Sequence, residues 1–373
     1  MIQETSSIKI CIVGGHATPA IAVIDEIRKH REDWEIIFVG RMYALEGKEI
    51  VSEEYKLVRG RGIRFLPLTT GRLQRSLTAT TIASLLKIPI GFVQAFGYLQ
   101  QERPDIVLSF GGYVAVPVAI AAWILKIPVA THEQTRVAGL GNRMIALFAK
   151  RIFTSFPDMT RQFPIHKTVY TGLPLRGEIF ESVPKPSYIP DGQRPILYIT
   201  GGSTGSVTLN AIIFSVLYRV TNEFIVIHQT GGLSYQDGLT AKAKLPPSRR
   251  NRYIPVSYLG AKEYAWVLAH ADIIIGRSGV NTVMEIAAFG KIAIYIPLPW
   301  SAEGEQDENA RYAALHGSSV VLAQKGLTGQ RLYQTIRDTY KRRNLISDQA
   351  RRFARLVPRD AALEIVKQLI ALV

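Results

Sequence analysis

Twice in this chain a short run of β-branched residues ends in a glycine loop that opens a longer amphipathic stretch. That repetition constrains the fold more than any other feature. The first instance is "IKICIVGGHATPAIAVIDEI" over 8–27 and the second is "PILYITGGSTGSVTLN" over 195–210. Strand-like runs at 8–13, 35–40, 105–110, 127–132 and 151–156 alternate with helical patterns in the first half. Runs at 195–200, 223–229, 272–276, 292–297 and 319–323 do the same in the second. Short apolar strands separated by helices imply a parallel sheet covered by helices on both faces. The expectation is an α/β protein of two doubly wound domains, since 373 residues are too many for one ordinary core. The segment "ESVPKPSYIPDGQRP" (181–195) holds four prolines and no periodicity, and reads as a linker between domains at 1–180 and 196–357. The terminal "RDAALEIVKQLIALV" reads as an amphipathic helix.

Composition narrows the partners. The formal net charge of +15 points to an anionic partner: nucleic acid, an anionic lipid surface or a phosphorylated substrate. No RNA-recognition, helix-turn-helix or zinc-finger pattern is present, so nucleic acid is set aside. The single cysteine, Cys11, rules out an intramolecular disulfide framework and a cysteine-rich metal site, and fits a reducing cytoplasm. Glu4 stands where a signal peptide would carry basic residues. The longest apolar stretch (113–130) contains Pro117, Lys126 and Pro128, and reads as a buried helix and strand rather than a membrane span. The expectation is a soluble chain that can still approach a membrane. Residues 68–100 mix Arg72, Arg75 and Lys87 with Leu73, Leu77, Ile82, Leu85, Leu86, Ile90, Phe92 and Phe96. That is either a core helix with a basic outer face or an interfacial patch.

Two glycine loops with different chemistry follow from the opening pattern. "GGHATP" lacks the G-x-G-x-x-G spacing of a dinucleotide site and the G-K-[ST] of a P-loop, and it places His16 at its tip. It is either a turn with an exposed histidine or a place where the imidazole works on a substrate. In "ITGGSTGSVTLN", backbone N–H groups and Ser203 at a helix start form a natural diphosphate seat. A third loop, "GRSGVNTVMEIAAFG" (276–290), offers the free amides of Gly279, Val280, Asn281 and Thr282, with Glu285 one turn inside to accept both hydroxyls of a ribose or simply to favour the helix dipole. "FGGYVAVP" (110–117) and "HEQTRVAGLGN" (132–142) end strands of the first domain. No further ligands complete a metal set around His132 and Glu133, so polar scaffolding is the expected role, and no cofactor is expected.

Taken in order, "GGHATPAIAV", "SFGGYVAVPVAIAAWILKIPVATHEQTRVAGLGN", "TGLPLRGEI", "GGSTGSVTLN" and "GRSGVNTVMEIAAFG" resemble the motifs of the MurG family of bacterial peptidoglycan glycosyltransferases. The resemblance runs from about residue 8 to about 330. It implies the GT-B fold, with 358–373 returning to the first domain. It implies inverting transfer of N-acetylglucosamine from UDP-N-acetylglucosamine to the 4-hydroxyl of MurNAc on undecaprenyl diphosphate, at the cytoplasmic face of the cell membrane and on an anionic surface, as a step of peptidoglycan synthesis. Carried over, His16 is the candidate base. Arg176, Ser203, Leu259, Gly279, Val280, Asn281, Thr282, Glu285 and Gln306 contact the donor. Gly14, Gly15, Gly111, Gly112, Tyr113, Glu133, Gln134 and Thr135 line the acceptor side. The sequence departs from the family at the first loop, which lacks a Gly-Thr segment, and at Thr135, Arg136, Leu173 and Glu305. A related transferase with another polyprenyl- or diacylglycerol-linked acceptor is the alternative, and a non-catalytic membrane-docking scaffold is a third reading.

Overall fold

The computed structural model describes residues 7–45, 48–69, 71, 79–202, 204–301 and 304–373, with side chains described outside 44–50 and 79–87. It divides into two units, 1–176 with 358–373, and 177–357. The first contains β1 (Lys9–Val13), β2 (Glu35–Gly40), a hairpin of β3 (Tyr43–Leu45) and β4 (Lys48–Val51), β5 (Arg64–Pro67), β6 (Ile106–Ser109), β7 (Val129–Glu133), β8 (Arg151–Thr154) and β9 (Thr168–Tyr170). Apart from the hairpin these make a 7-stranded sheet in the order β5-β2-β1-β6-β7-β8-β9, parallel at every pairing. Ile10, Ile12, Phe38, Ile106 and Leu108 form one side of the core with Ile21 and Ile24 of the helix Ala17–His30. The terminal helix Ala361–Ile370 adds Ile365, Val366 and Leu369 to the same core.

The second unit contains β10 (Ile196–Thr200), β11 (Ile225–Gln229), β12 (Tyr253–Val256), β13 (Ile273–Gly276), β14 (Ile292–Tyr295) and β15 (Ser319–Val321). They form a 6-stranded sheet in the order β12-β11-β10-β13-β14-β15, again parallel throughout. Sheet residues Leu197, Ile199, Val226, Ile273 and Ile275 pack against Leu209, Ile213 and Leu217 of the helix Val207–Glu223.

The boundary lies at Arg176, slightly before the predicted 180. Phe180 stacks on Phe289 at 5.3 Å and 7°, and Ile189 is buried. The proline-rich segment therefore packs into the second unit instead of running free. Strand order reverses between β1 and β6 in the first sheet and between β10 and β13 in the second. Ligands of open parallel sheets bind beyond the carboxyl ends of strands at such reversals. The glycine loops singled out from the sequence follow these four strands.

Candidate active site

In the first unit, Gly14, Gly15 and His16 join β1 to the helix Ala17–His30. His16 is the helix's N-cap in extended conformation, and its side chain makes no capping hydrogen bond. Across the reversal, Gly111 and Gly112 take positive φ of 77° and 76°. A Cβ at Gly15 would lie 2.2 Å from the Gly111 carbonyl oxygen, so only glycine permits this approach of the two loops. Tyr113 lies beneath the Arg41 guanidinium, 5.2 Å from ring centroid to Cζ.

Glu133, buried at the end of β7, is a scaffold. Its carboxylate accepts from the amides of Thr135 (3.0 Å) and Gly139 (3.0 Å), and from Asn142 Nδ2 (2.9 Å). The Thr135 hydroxyl stands 2.8 Å away. These contacts fix the 133–142 loop, the Thr135 hydroxyl being shared with the Val137 carbonyl at 2.7 Å. Gln134 is buried, with Nε2 donating to the Phe110 carbonyl at 3.3 Å, while its Oε1 has no partner among the described residues. Arg136 is ion-paired with Asp158 and lies over the Phe156 ring. His132 is buried, with Nε2 against the Gly172 carbonyl at 3.1 Å; burial pushes its pKa down to about 4. Loss of hydration lowers the pKa of His16 as well, against the pull of Glu133. A histidine below its usual 6.5 is neutral at neutral pH and free to accept a proton.

In the second unit, the loop after β10 is held by Gln229. Its Nε2 donates to the Gly202 carbonyl at 3.0 Å, and its Oε1 accepts from the Leu259 amide at 3.2 Å. Leu259 itself is 2% exposed, so what it offers a ligand is the rigid position of its backbone. Gly205 and Gly231 (φ 77° and 78°) press against each other's neighbours, where a Cβ would fall 2.1 Å and 2.3 Å from carbonyl oxygens. Ser203 lies outside the described residues.

The loop after β13 supplies the charge. Gly279 caps the helix Val280–Ala288 without a side chain, leaving the amides of its first turn without intrahelical acceptors. Glu285 is buried at 4% exposure and accepts from the Tyr264 hydroxyl at 2.7 Å. Gln306 Oε1 accepts from the amides of Ser278 (3.3 Å) and Leu298 (3.0 Å), which leaves its amide nitrogen as the donor to offer. Asn281 Oδ1 is buried without a partner among the described residues.

Sequence reasoning gave Arg277 no role, although it is the cation standing directly between strand end and helix start. It is 7% exposed. Its Nη2 donates to Ser206 Oγ (2.7 Å) and Gln324 Oε1 (2.6 Å), and its Nη1 to the Ile296 carbonyl (2.8 Å). None of these partners is a carboxylate, and burial lowers its pKa from the usual value. With no carboxylate against it among the described residues, the guanidinium lends positive charge to the junction of the two loops. Arg176 is the last residue of the first unit and is half-buried.

Two parallel-sheet α/β units in one chain, each with glycine loops after the strands at its order reversal, define a GT-B glycosyltransferase class. Residues 13–154 match the glycosyltransferase family 28 N-terminal domain and residues 196–365 its C-terminal domain, and the chain belongs to that family. It is 32% identical over 345 residues to a UDP-N-acetylglucosamine--N-acetylmuramyl-(pentapeptide) pyrophosphoryl-undecaprenol N-acetylglucosamine transferase of Clostridium botulinum, covering 90% of this chain and 92% of that one. The transferase of the same name from Shouchella clausii is 33% identical over 336 residues, covering 88% and 89%. Among solved structures, Acinetobacter baumannii MurG superposes with a TM-score of 0.73 at 26% identity, covering 97% of this chain and 98% of that one. The family resemblance and the GT-B class expected from the sequence both hold.

Proposed function

We propose that the protein transfers N-acetylglucosamine from UDP-N-acetylglucosamine to the MurNAc 4-hydroxyl of N-acetylmuramyl-(pentapeptide) pyrophosphoryl-undecaprenol. The observation that carries this reading is the helix start at Gly279. Free amides, the Tyr264-held Glu285, the amide nitrogen of Gln306 and the buried Arg277 meet there within one unit. Such a cluster suits a nucleoside diphosphate: amides and cation for the phosphates, carboxylate for the ribose. Arg176 and Ser203 join the donor contacts by family resemblance.

In the reaction, neutral His16 takes the proton of the acceptor hydroxyl as that oxygen attacks the anomeric carbon from the face opposite UDP. The new C–O bond forms as the bond to the diphosphate breaks, and configuration inverts. UDP departs with the electron pair, its growing charge met by donors already in place, which lowers the barrier without reorganisation. The residues on the acceptor side, Gly14, Gly15, Gly111, Gly112, Tyr113, Gln134 and Thr135, provide a rigid wall for the incoming sugar. Arg136, engaged by Asp158, gives no support to a different acceptor.

The acceptor's lipid supports a place at an anionic membrane surface on the cytoplasmic face. Among the described residues no helix is long and apolar enough to cross a membrane. The first unit exposes Val93 (69%), Trp123 (56%) and Leu147 (74%) on helices Ala79–Glu102, Ala115–Ile124 and Leu140–Phe148, with Lys126, Arg143 and Lys150 nearby in sequence. Apolar side chains interspersed with cations suit an interface. Of the residues read as a patch from sequence, Arg72, Leu73, Arg75 and Leu77 lie outside the described residues.

The direct test incubates the protein with UDP-N-acetylglucosamine and a short-chain polyprenyl-diphosphate MurNAc-pentapeptide. UDP release that requires the acceptor, with one N-acetylhexosamine added to it by mass, is expected. Donor binding with no transfer to this acceptor overturns the assignment.

A further inference from the structure

Gly14 and Gly40 end the neighbouring strands β1 and β2, and neither has a positive φ. Their conformations therefore suit any residue, and the reason for glycine must be space. At Gly14 a Cβ would fall 1.8 Å from Glu54 Oε1, and the three nearest atoms all belong to Glu54. At Gly40 it would fall 2.5 Å from Glu54 Oε2. One carboxylate thus fills the room that both glycines leave.

It is held there by two amides from two loops. Gly15 N–H donates to Oε1 at 3.2 Å and Arg41 N–H to Oε2 at 3.3 Å. Glu54 lies in the first turn of the helix Glu53–Gly60, where an acidic residue ordinarily serves its own helix. Here the cap is Ser52, whose hydroxyl accepts from the Tyr55 amide at 3.1 Å and donates to the Arg41 carbonyl at 2.7 Å. The Glu54 carboxylate is directed away from its helix onto the β1 turn. The Gly15 amide it takes belongs to the kind of donor set that cradles phosphate in a nucleotide-binding glycine loop. The chain thus closes this loop with its own anion.

We propose that Glu54 is a positioning residue for the candidate base: its carboxylate ties the Gly14-Gly15-His16 turn to the end of β2 and so fixes where His16 presents its imidazole. This rests on the reading of His16 given above. The titratable groups facing His16 are Glu133 and His132, and Arg41 is the charge facing Glu54. Burial raises the pKa of Glu54, with the two amides opposing that rise.

The test is a mutant cycle on the full-length protein in the transfer assay. Glu54→Ala is expected to lower kcat by about 10- to 100-fold, the cost of a small misplacement of a reacting group. KM for UDP-N-acetylglucosamine should stay within about twofold, because donor residues lie in the other unit. The acidic limb of the kcat–pH profile should move up toward 6.5 as the freed imidazole regains hydration. Gly14→Ala, by evicting the carboxylate, should reproduce this, and adding it to Glu54→Ala should cost nothing further. Glu54→Gln, which keeps the volume but turns one acceptor into a donor facing an amide, should lie between Ala and the wild type. An unshifted pH profile and normal kcat in folded Glu54→Gln, or multiplying effects in the double variant, overturn the proposal. His16→Ala separates the two readings. Full activity there overturns the base itself, whereas an inactive His16→Ala beside an unaltered Glu54→Gln overturns only the positioning role.

Discussion

Replacing Arg277 by methionine removes a buried charge that no carboxylate balances among the described residues, and the effect on ligands is expected to be selective. Only Ser278 lies between Arg277 and Gly279, and ~7 Å, the reach of two residues, sets the scale for the distance from the guanidinium to a phosphate on the Gly279 turn. At that separation, with an effective dielectric constant near ~20, one unit charge on a phosphate is worth roughly 2 kcal/mol, or about 30-fold in affinity. Arg277→Lys keeps the charge and loses the fork of hydrogen bonds to Ser206 and Gln324, so it should weaken UDP by only about threefold. Uridine carries no phosphate and should bind both variants as it binds the wild type. The free protein should lose stability, because Ser206, Gln324 and the Ile296 carbonyl each lose a donor at about 1–3 kcal/mol. Titration calorimetry with UDP and uridine, well below the melting temperature, measures the difference directly. Equal losses for both ligands would mean that Arg277 only holds the fold, and no loss for UDP would mean that the phosphates sit elsewhere.

Tyr264→Phe should show the opposite selectivity. Removing the 2.7 Å bond to Glu285 loosens the carboxylate proposed to take the ribose, and UDP and uridine should weaken together by about 3- to 10-fold in the same titration. Acid should destabilise the protein through its buried histidines. His132 is pushed down to about 4 and His228 to about 3 by burial, so the unfolded chain binds more protons below its ordinary 6.5. Stability is therefore full above pH ~6.5 and falls by several kcal/mol as pH drops from there toward 4 and 3. Denaturant unfolding across that range checks it, and a flat profile refutes it. Ile365→Ala, at a position with no exposed surface, should cost about 2–5 kcal/mol. The first unit's melting transition should drop by roughly 5–15 °C in calorimetry, while the transition that UDP raises stays in place.

The sheet interior was legible in the sequence because both faces of its strands are covered. Val107–Leu108 and Ile273–Ile275 are continuous apolar runs that no other element explains as well. Within the two parallel sheets, the strands that escaped notice, β5, β9 and β12, all lie at sheet edges. There one side of the strand pairs with nothing, so Arg64 and Pro255 are tolerated and the local signal fades. The site divided in a similar way. Gly279, Glu285 and His16 could be picked out because helix starts and strand ends are local features. Glu54, Gln229 and Gln324 could not, since each acts on a loop far away in sequence: Glu54 on Gly15, Gln229 on Leu259, Gln324 on Arg277. Only folding makes such partners neighbours. Leu259, a clear contact by resemblance, is buried and engaged through its amide, which a motif cannot reveal.

The return of the terminal helix to the first unit has a consequence for biosynthesis. Val23, Ile24 and Ile27 share their core with Ile365, Val366 and Leu369, and the whole second unit, 177–357, is made in the interval. At about 5–20 residues per second, the ribosome needs roughly 10–40 s to translate that insert. Throughout that time the half-built first unit shows bare apolar surface on the helix Ala17–His30. The second unit, uninterrupted in sequence, can finish folding before the first. The unit begun second can thus be the first to complete its core.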